Sequence, residues 1–156
     1  MHIRVLVAFA LIVFVADIAS AASPGVKIYS VKGDYDDVKE RVMFAIENRG
    51  IVLNYTARVG NMLERTGKDL GRQQQIYSRA EVLEFCSAAL SRDTMEADPH
   101  NIVSCPYTIA VYTLPQEPGK VYLSYRRPTA AGMRPSAGTL AAVEKLLEDI
   151  VREALR

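Results

Sequence analysis

The chain has 156 residues, 49% hydrophobic and 24% charged, with a formal net charge of +1. That length suits a single domain able to bury a core of its own. The near-neutral balance shows no basic stripe, which excludes nucleic acid as the expected partner.

The first segment has the form of an export signal. One positive charge, Arg4, precedes an unbroken apolar run from Val5 to Ala16, and Ala19-Ser20-Ala21 supplies the small residues a signal peptidase reads. The run is too short to span a bilayer, which needs roughly 20 residues. Cleavage is expected after residue 21, leaving residues 22–156 as one exported domain with no stable membrane anchor. In a Gram-negative bacterium the destination is the periplasm. Arg4 and Asp17 leave together, so the mature chain stays near neutral.

Val26 to Val31 alternates between Gly25 and Gly33 and predicts a strand. Asp34 follows as a helix N-cap, with Asp36 and Asp37 where the helix dipole favours anions. Val38, Val42, Ala45 and Ile46 recur at helical spacing and Gly50 stands at the C-terminal cap, predicting a helix over 35–49. Ile51 to Val59 predicts a second strand, with Leu53 and Tyr55 facing away from Val52, Asn54 and Thr56. Asn61 to Glu64 resembles a capping box, so a short helix is expected to about Leu70, ending at Gly71. Ile76-Tyr77 is a brief strand or an extended segment.

Ser78-Arg79-Ala80-Glu81 is a second capping box and predicts a longer helix to about Asp98, with Val82, Phe85, Cys86, Ala89 and Leu90 as its apolar stripe. Pro99 ends it. Ile102 to Thr113 predicts a strand whose inward residues, Ile109 and Val111, extend by parity to Val103 and Cys105. Pro118-Gly119 makes a tight turn, Val121 to Tyr125 the returning strand, and Pro128 to Pro135 a loop. A last helix begins near Ser136, with Leu140, Val143, Leu147, Ile150 and Ala154 inside and Glu144, Lys145, Glu148 and Arg152 outside. The order is β-α-β-α-α-β-β-α. It predicts an α+β single domain with an antiparallel sheet and helices packed on it.

Cys86 and Cys105 are the chain's two cysteines, joined through the acidic turn Glu96-Ala97-Asp98-Pro99-His100. A helix from Cys86 to Asp98 advances about 18 Å. An extended return to Cys105 covers up to about 23 Å, enough to bring the sulfurs together. Three readings stay open: a structural disulfide, two buried free thiols, and a functional thiol pair that is redox-active or binds a soft metal or haem. Met95 and His100 are the further ligands of suitable softness, although the spacing matches no zinc or haem-attachment pattern.

No nucleophile elbow, phosphate loop or histidine-carboxylate metal motif is present. Arg126, Arg127 and Arg134 could together hold an anion such as a carboxylate or sulfur oxyanion, or be ordinary charges at a strand end. Tyr107, Tyr112, Tyr122 and Tyr125 on the hairpin suit an amphipathic sheet, a pocket or a dimer face.

Three motifs carry a family resemblance. They are Glu84-Phe85-Cys86-Ser87-Ala88, Met95-Glu96-Ala97-Asp98-Pro99, and Asn101-Ile102-Val103-Ser104-Cys105-Pro106 leading into Thr108 to Tyr112. On these the chain, from Lys27 to Leu155, resembles the domain of unknown function family DUF302. The resemblance implies a small dimeric α+β domain, hence a homodimer, and implies no established activity. The family pattern often places cysteines at the positions of Cys86 and Cys105. It commonly follows the first with Asn-Pro-Pro, where this chain has Ser87-Ala88-Ala89, and sets the second between a proline and Asn, where Pro106 follows here. These departures mark an exported branch. The expected function is an exported binding or accessory protein with a small ligand at the cysteine pair, the reading leaning away from an enzyme without deciding it. The alternative is a thiol-redox or sulfur-handling enzyme using the same pair.

Overall fold

The computed structural model describes residues 25–128 and 136–156. The expected signal peptide, and the loop residues 129–135 with Arg134, lie outside them. Five strands, β1 (Val26–Lys32), β2 (Leu53–Ala57), β3 (Arg79–Phe85), β4 (Tyr107–Thr113) and β5 (Lys120–Arg126), form one antiparallel sheet ordered β1-β5-β4-β3-β2. Four helices accompany them: α1 (Tyr35–Glu47), α2 (Val59–Asp69), α3 (Ala88–Ala97) and α4 (Ala137–Ala154), with a 3-10 helix at Pro99–Ser104. The α+β architecture is as expected. Its element order has one more strand than the sequence pattern suggested.

That strand is β3. Residues 79–85 pair with β4 on one side and β2 on the other, so they are not the first half of a helix. Ala, Glu and Leu favour helix locally, and the Ser78–Glu81 pattern imitates a helix start. A central strand makes hydrogen bonds along both edges, and that tertiary pairing overrides the local preference. The helix starts only at Ala88, where the Ser87 hydroxyl accepts a bond from the Leu90 N–H at 3.5 Å.

One sheet face carries Leu83, Phe85, Tyr107, Ile109, Val111, Val121, Leu123 and Tyr125, all buried. It packs against Val38, Val42, Ala45 and Ile46 of α1 and Val143, Leu147, Ile150 and Val151 of α4. The Asp34 carboxylate caps α1, accepting from the Asp36 and Asp37 N–H groups at 2.8 and 3.2 Å. Gly50 closes the same helix at φ 66°, a conformation that costs glycine least. The inner stripe of α4, Leu140 to Ala154, is buried as its spacing predicts.

Three local expectations change. α2 begins at Val59 and Asn61 lies inside it, so the Asn61 capping box is not used and the Arg58 side chain makes no cap bond. A bulge between Leu53 and Tyr55 breaks the alternation of β2: Leu53 pairs with Phe85 on the core face, and Tyr55 with Glu84 on the other. Residues 99–104 coil as a 3-10 helix, with Pro99 in its first turn and Asp98 as its cap, leaving Val103 81% exposed and not inward.

Glu81 explains why β3 is hard to read. It sits on the covered face, where it accepts from the Tyr35 hydroxyl at 3.0 Å and meets Lys39 Nζ at 2.5 Å. Burial pushes its carboxyl pKa up, but the bonds from Lys39 and Tyr35 and the charges of Lys39 and Arg79 outweigh it, and the net shift is downward. A lowered folded pKa contributes stability above the unfolded carboxyl value, lost as pH falls through the folded one. Glu81→Gln is therefore expected to lower stability at neutral pH by about 1 kcal/mol. It should also flatten the loss of stability below about pH 4.5, read as the urea midpoint against pH.

The opposite sheet face carries no packed α1 or α4 residue. Its central row, Ile28, Ser124, Ala110, Val82 and Ala57, runs across all five strands in register. Arg126, Thr108's neighbour Glu84 and Tyr55 lie toward one end, and the stacked pair Tyr112 and Tyr122 toward the other, their centroids 5.1 Å apart. Ile28 and Tyr55 are exposed on this face.

Candidate functional site

Cys86 and Cys105 flank the same end of two neighbouring strands. Phe85 pairs with Tyr107 in the last register position of β3 and β4, Cys86 follows directly after Phe85, and Cys105 stands two residues before Tyr107. Cys86 thus occupies the link between β3 and α3 and is not on a helix stripe. The two cysteines are neighbours by strand adjacency and not by a strand returning beneath a helix. The N–H of Cys105 donates to the Ile102 carbonyl at 3.1 Å, and the Cys105-Pro106 peptide bond is cis.

Both cysteines are half-buried free thiols. The Cys86 thiol neighbours that of Cys105, the Asn54 side chain and the Tyr107 backbone. Burial, then the neighbouring Cys105 thiol, push the Cys86 thiol up to about 11, against smaller downward effects of Tyr107 and Asn54. At neutral pH Cys86 keeps its proton.

Ser91, on α3, faces the pair. Its Oγ lies 3.7 Å from Cys105 Sγ and 3.2 Å from the Tyr107 hydroxyl. Tyr107 is held edge-on by Phe85, with centroids 6.2 Å apart, and burial raises its hydroxyl pKa above the ordinary value. The site is therefore a thiol pair with a hydroxyl on one sulfur, backed by two buried aromatic rings. Chemically it can hold a soft electrophile between two sulfurs, or exchange its two thiols for a disulfide.

Sequence reasoning missed Ser91 and Asn54, and named Tyr107 only among the hairpin tyrosines without placing it beside the sulfurs. The inward parity of Ile109 and Val111 does extend to Tyr107, so that residue was within reach. Ser91 and Asn54 carried no signal, because only the docking of α3 and β2 brings them here.

The other candidates fall elsewhere. Met95 is half-buried on α3, one turn beyond Ser91, and His100 is exposed on the 3-10 helix. Among the described residues no three His, Cys, Asp or Glu side chains converge as a metal-holding group. A soft ion at this site would be held by the two cysteines. Arg126 is exposed at the end of β5, whereas Arg127 is engaged by Glu144 of α4, with Nε to Oε1 at 2.7 Å and Nη2 to Oε2 at 3.3 Å. Two concavities lie away from the sulfurs: one of about 880 Å³ lined by Asp34, Arg41 and Phe44, another of about 530 Å³ lined by Leu63, Arg72 and Tyr77.

A family model described as "Domain of unknown function DUF302" matches residues 27–154. The chain is also similar to a solved structure, the crystal structure of uncharacterized conserved protein DUF302 from Bacillus stearothermophilus. Identity is 18%, the TM-score is 0.70, and the match covers 86% of this chain and 100% of that one. At that identity the likeness shows a shared fold. No curated protein matches the chain.

Proposed function

This chain belongs to the DUF302 family, and from that premise we propose that it is an exported accessory protein working through the Cys86–Cys105 thiol pair. The observation that carries this reading is the placement of two free thiols side by side at one end of β3 and β4, with the Ser91 hydroxyl on the Cys105 sulfur. A buried cysteine serving only as a small hydrophobe needs neither a second sulfur nor a hydroxyl partner.

The test is differential alkylation of the native protein followed by mass measurement, with and without reductant. Both thiols are expected to be alkylated in the reduced protein, and one soft monovalent metal ion or one disulfide per chain to block both together. Thiols that resist alkylation until the protein unfolds would remove the site. The leader's fate is checked in the same spectrum, where loss of residues 1–21 from protein secreted by its host supports export.

The working form proposed is a homodimer through the open sheet face. The central row is small or apolar, so a second sheet can approach closely, and Arg126 and Glu84 lie two strands apart on either side of β4. A two-fold axis along β4 sets Arg126 of one copy over Glu84 of the second. Val82→Glu is expected to give a folded monomer by light scattering, and a variant as dimeric as the parent would count against this face.

A further inference from the structure

Resting on the thiol-pair reading, we infer that the site exchanges thiols with a disulfide carried by an apolar peptide segment, Cys105 attacking and Cys86 resolving. Three observations assign the roles and the substrate. Ser91 Oγ, 3.7 Å from Cys105 Sγ, can donate to a thiolate there, and among the described residues no hydroxyl bonds to Cys86. Cys86 lies beside Cys105, and burial keeps its thiol protonated at neutral pH. The flanks of the site are exposed and apolar: Ile102 and Val103, just before Cys105, and Val52, two residues from Asn54, are 62%, 81% and 74% exposed. A soluble chain gains nothing by baring three branched side chains beside a reactive sulfur unless something apolar covers them in use.

The step balances within the two reactants. Cys105 releases its proton and its sulfur attacks one sulfur of the peptide disulfide. That S–S bond breaks, and the departing sulfur leaves as a thiolate and takes up a proton. Cys86 then loses its proton and attacks the Cys105 sulfur, forming the Cys86–Cys105 bond and expelling the second peptide thiol. Two protein thiols are oxidised to one disulfide, and the peptide disulfide is reduced to two thiols.

The experiment uses the reduced mature protein and its Cys86→Ser and Cys105→Ser variants. Each is mixed with a peptide disulfide flanked by leucine and valine, and separately with oxidised glutathione. Cys86→Ser is expected to trap a mixed disulfide on Cys105, and Cys105→Ser to react at least about tenfold more slowly. The peptide is expected to outpace glutathione, and Ile102→Ser with Val103→Ser to remove that advantage while leaving the glutathione rate unchanged. Ser91→Ala should slow attack by Cys105 without altering the fold seen by circular dichroism. Equal rates for the two disulfides would overturn the peptide assignment, and faster attack by Cys86 would overturn the roles. Thiols that alkylate normally but form no mixed disulfide would overturn exchange alone. Thiols that never alkylate in the folded protein would overturn the thiol-pair reading beneath it.

Discussion

Phe85→Ala is expected to lower stability by about 3–5 kcal/mol, read as a drop in the urea midpoint at unchanged slope. Phe85 is fully buried and among the largest side chains in the core. Truncating it removes the ring's contacts and leaves a cavity at the end of β3. It also removes the edge contact that holds Tyr107, and through Tyr107 the Ser91 hydroxyl beside Cys105. Native-state alkylation of Cys86 should therefore become faster in the same variant. Val82→Thr is the comparison: as part of a helix stripe it would cost as much as a core residue, whereas on the open sheet face it should cost less than about 1 kcal/mol. A cost at Val82 as large as that at Phe85 would restore the helix over 79–98.

The second large effect is redox-dependent. Joining Cys86 and Cys105 as a disulfide is expected to raise stability by about 3 kcal/mol, because the bond closes a loop in the unfolded chain. For a domain of this size that is a rise in Tm on the order of 10 °C. Calorimetry of oxidised and reduced protein measures it, and Cys86→Ser or Cys105→Ser should abolish the difference. Cys105→Ala in oxidised protein should lower stability by a similar few kcal/mol. A Tm that ignores reductant would show that the sulfurs do not join.

Much of the fold was legible where local pattern and tertiary demand agree. Asp34, the stripe Val38 to Ile46 and Gly50 specify α1 with cap, core face and stop, and all three act as written. The α4 stripe and the inward pair Ile109 and Val111 are equally plain. The unread parts are those where neighbours decide. Glu81 hides the alternation of β3 by bringing a charge to the covered face, where Lys39 and Tyr35 receive it. Ile102 and Val103 look like strand residues yet stay exposed on a 3-10 helix. The Leu53–Tyr55 bulge is set by pairing with Phe85 and Glu84.

The candidate site divides the same way. The sequence singled out the two cysteines by their number and separation, but the helix and returning strand that were to join them do not occur. The route by which they meet, the hydroxyl of Ser91 on one of them, and the retained proton of Cys86 depend on how β3, β4 and α3 dock. By itself the sequence determined the domain class and most strand and helix faces, and it singled out the pair as a candidate. Only the tertiary structure decided which segment became the central strand and which groups surround the sulfurs, because hydrogen bonds between strands and burial between layers outweigh local preference wherever the two disagree.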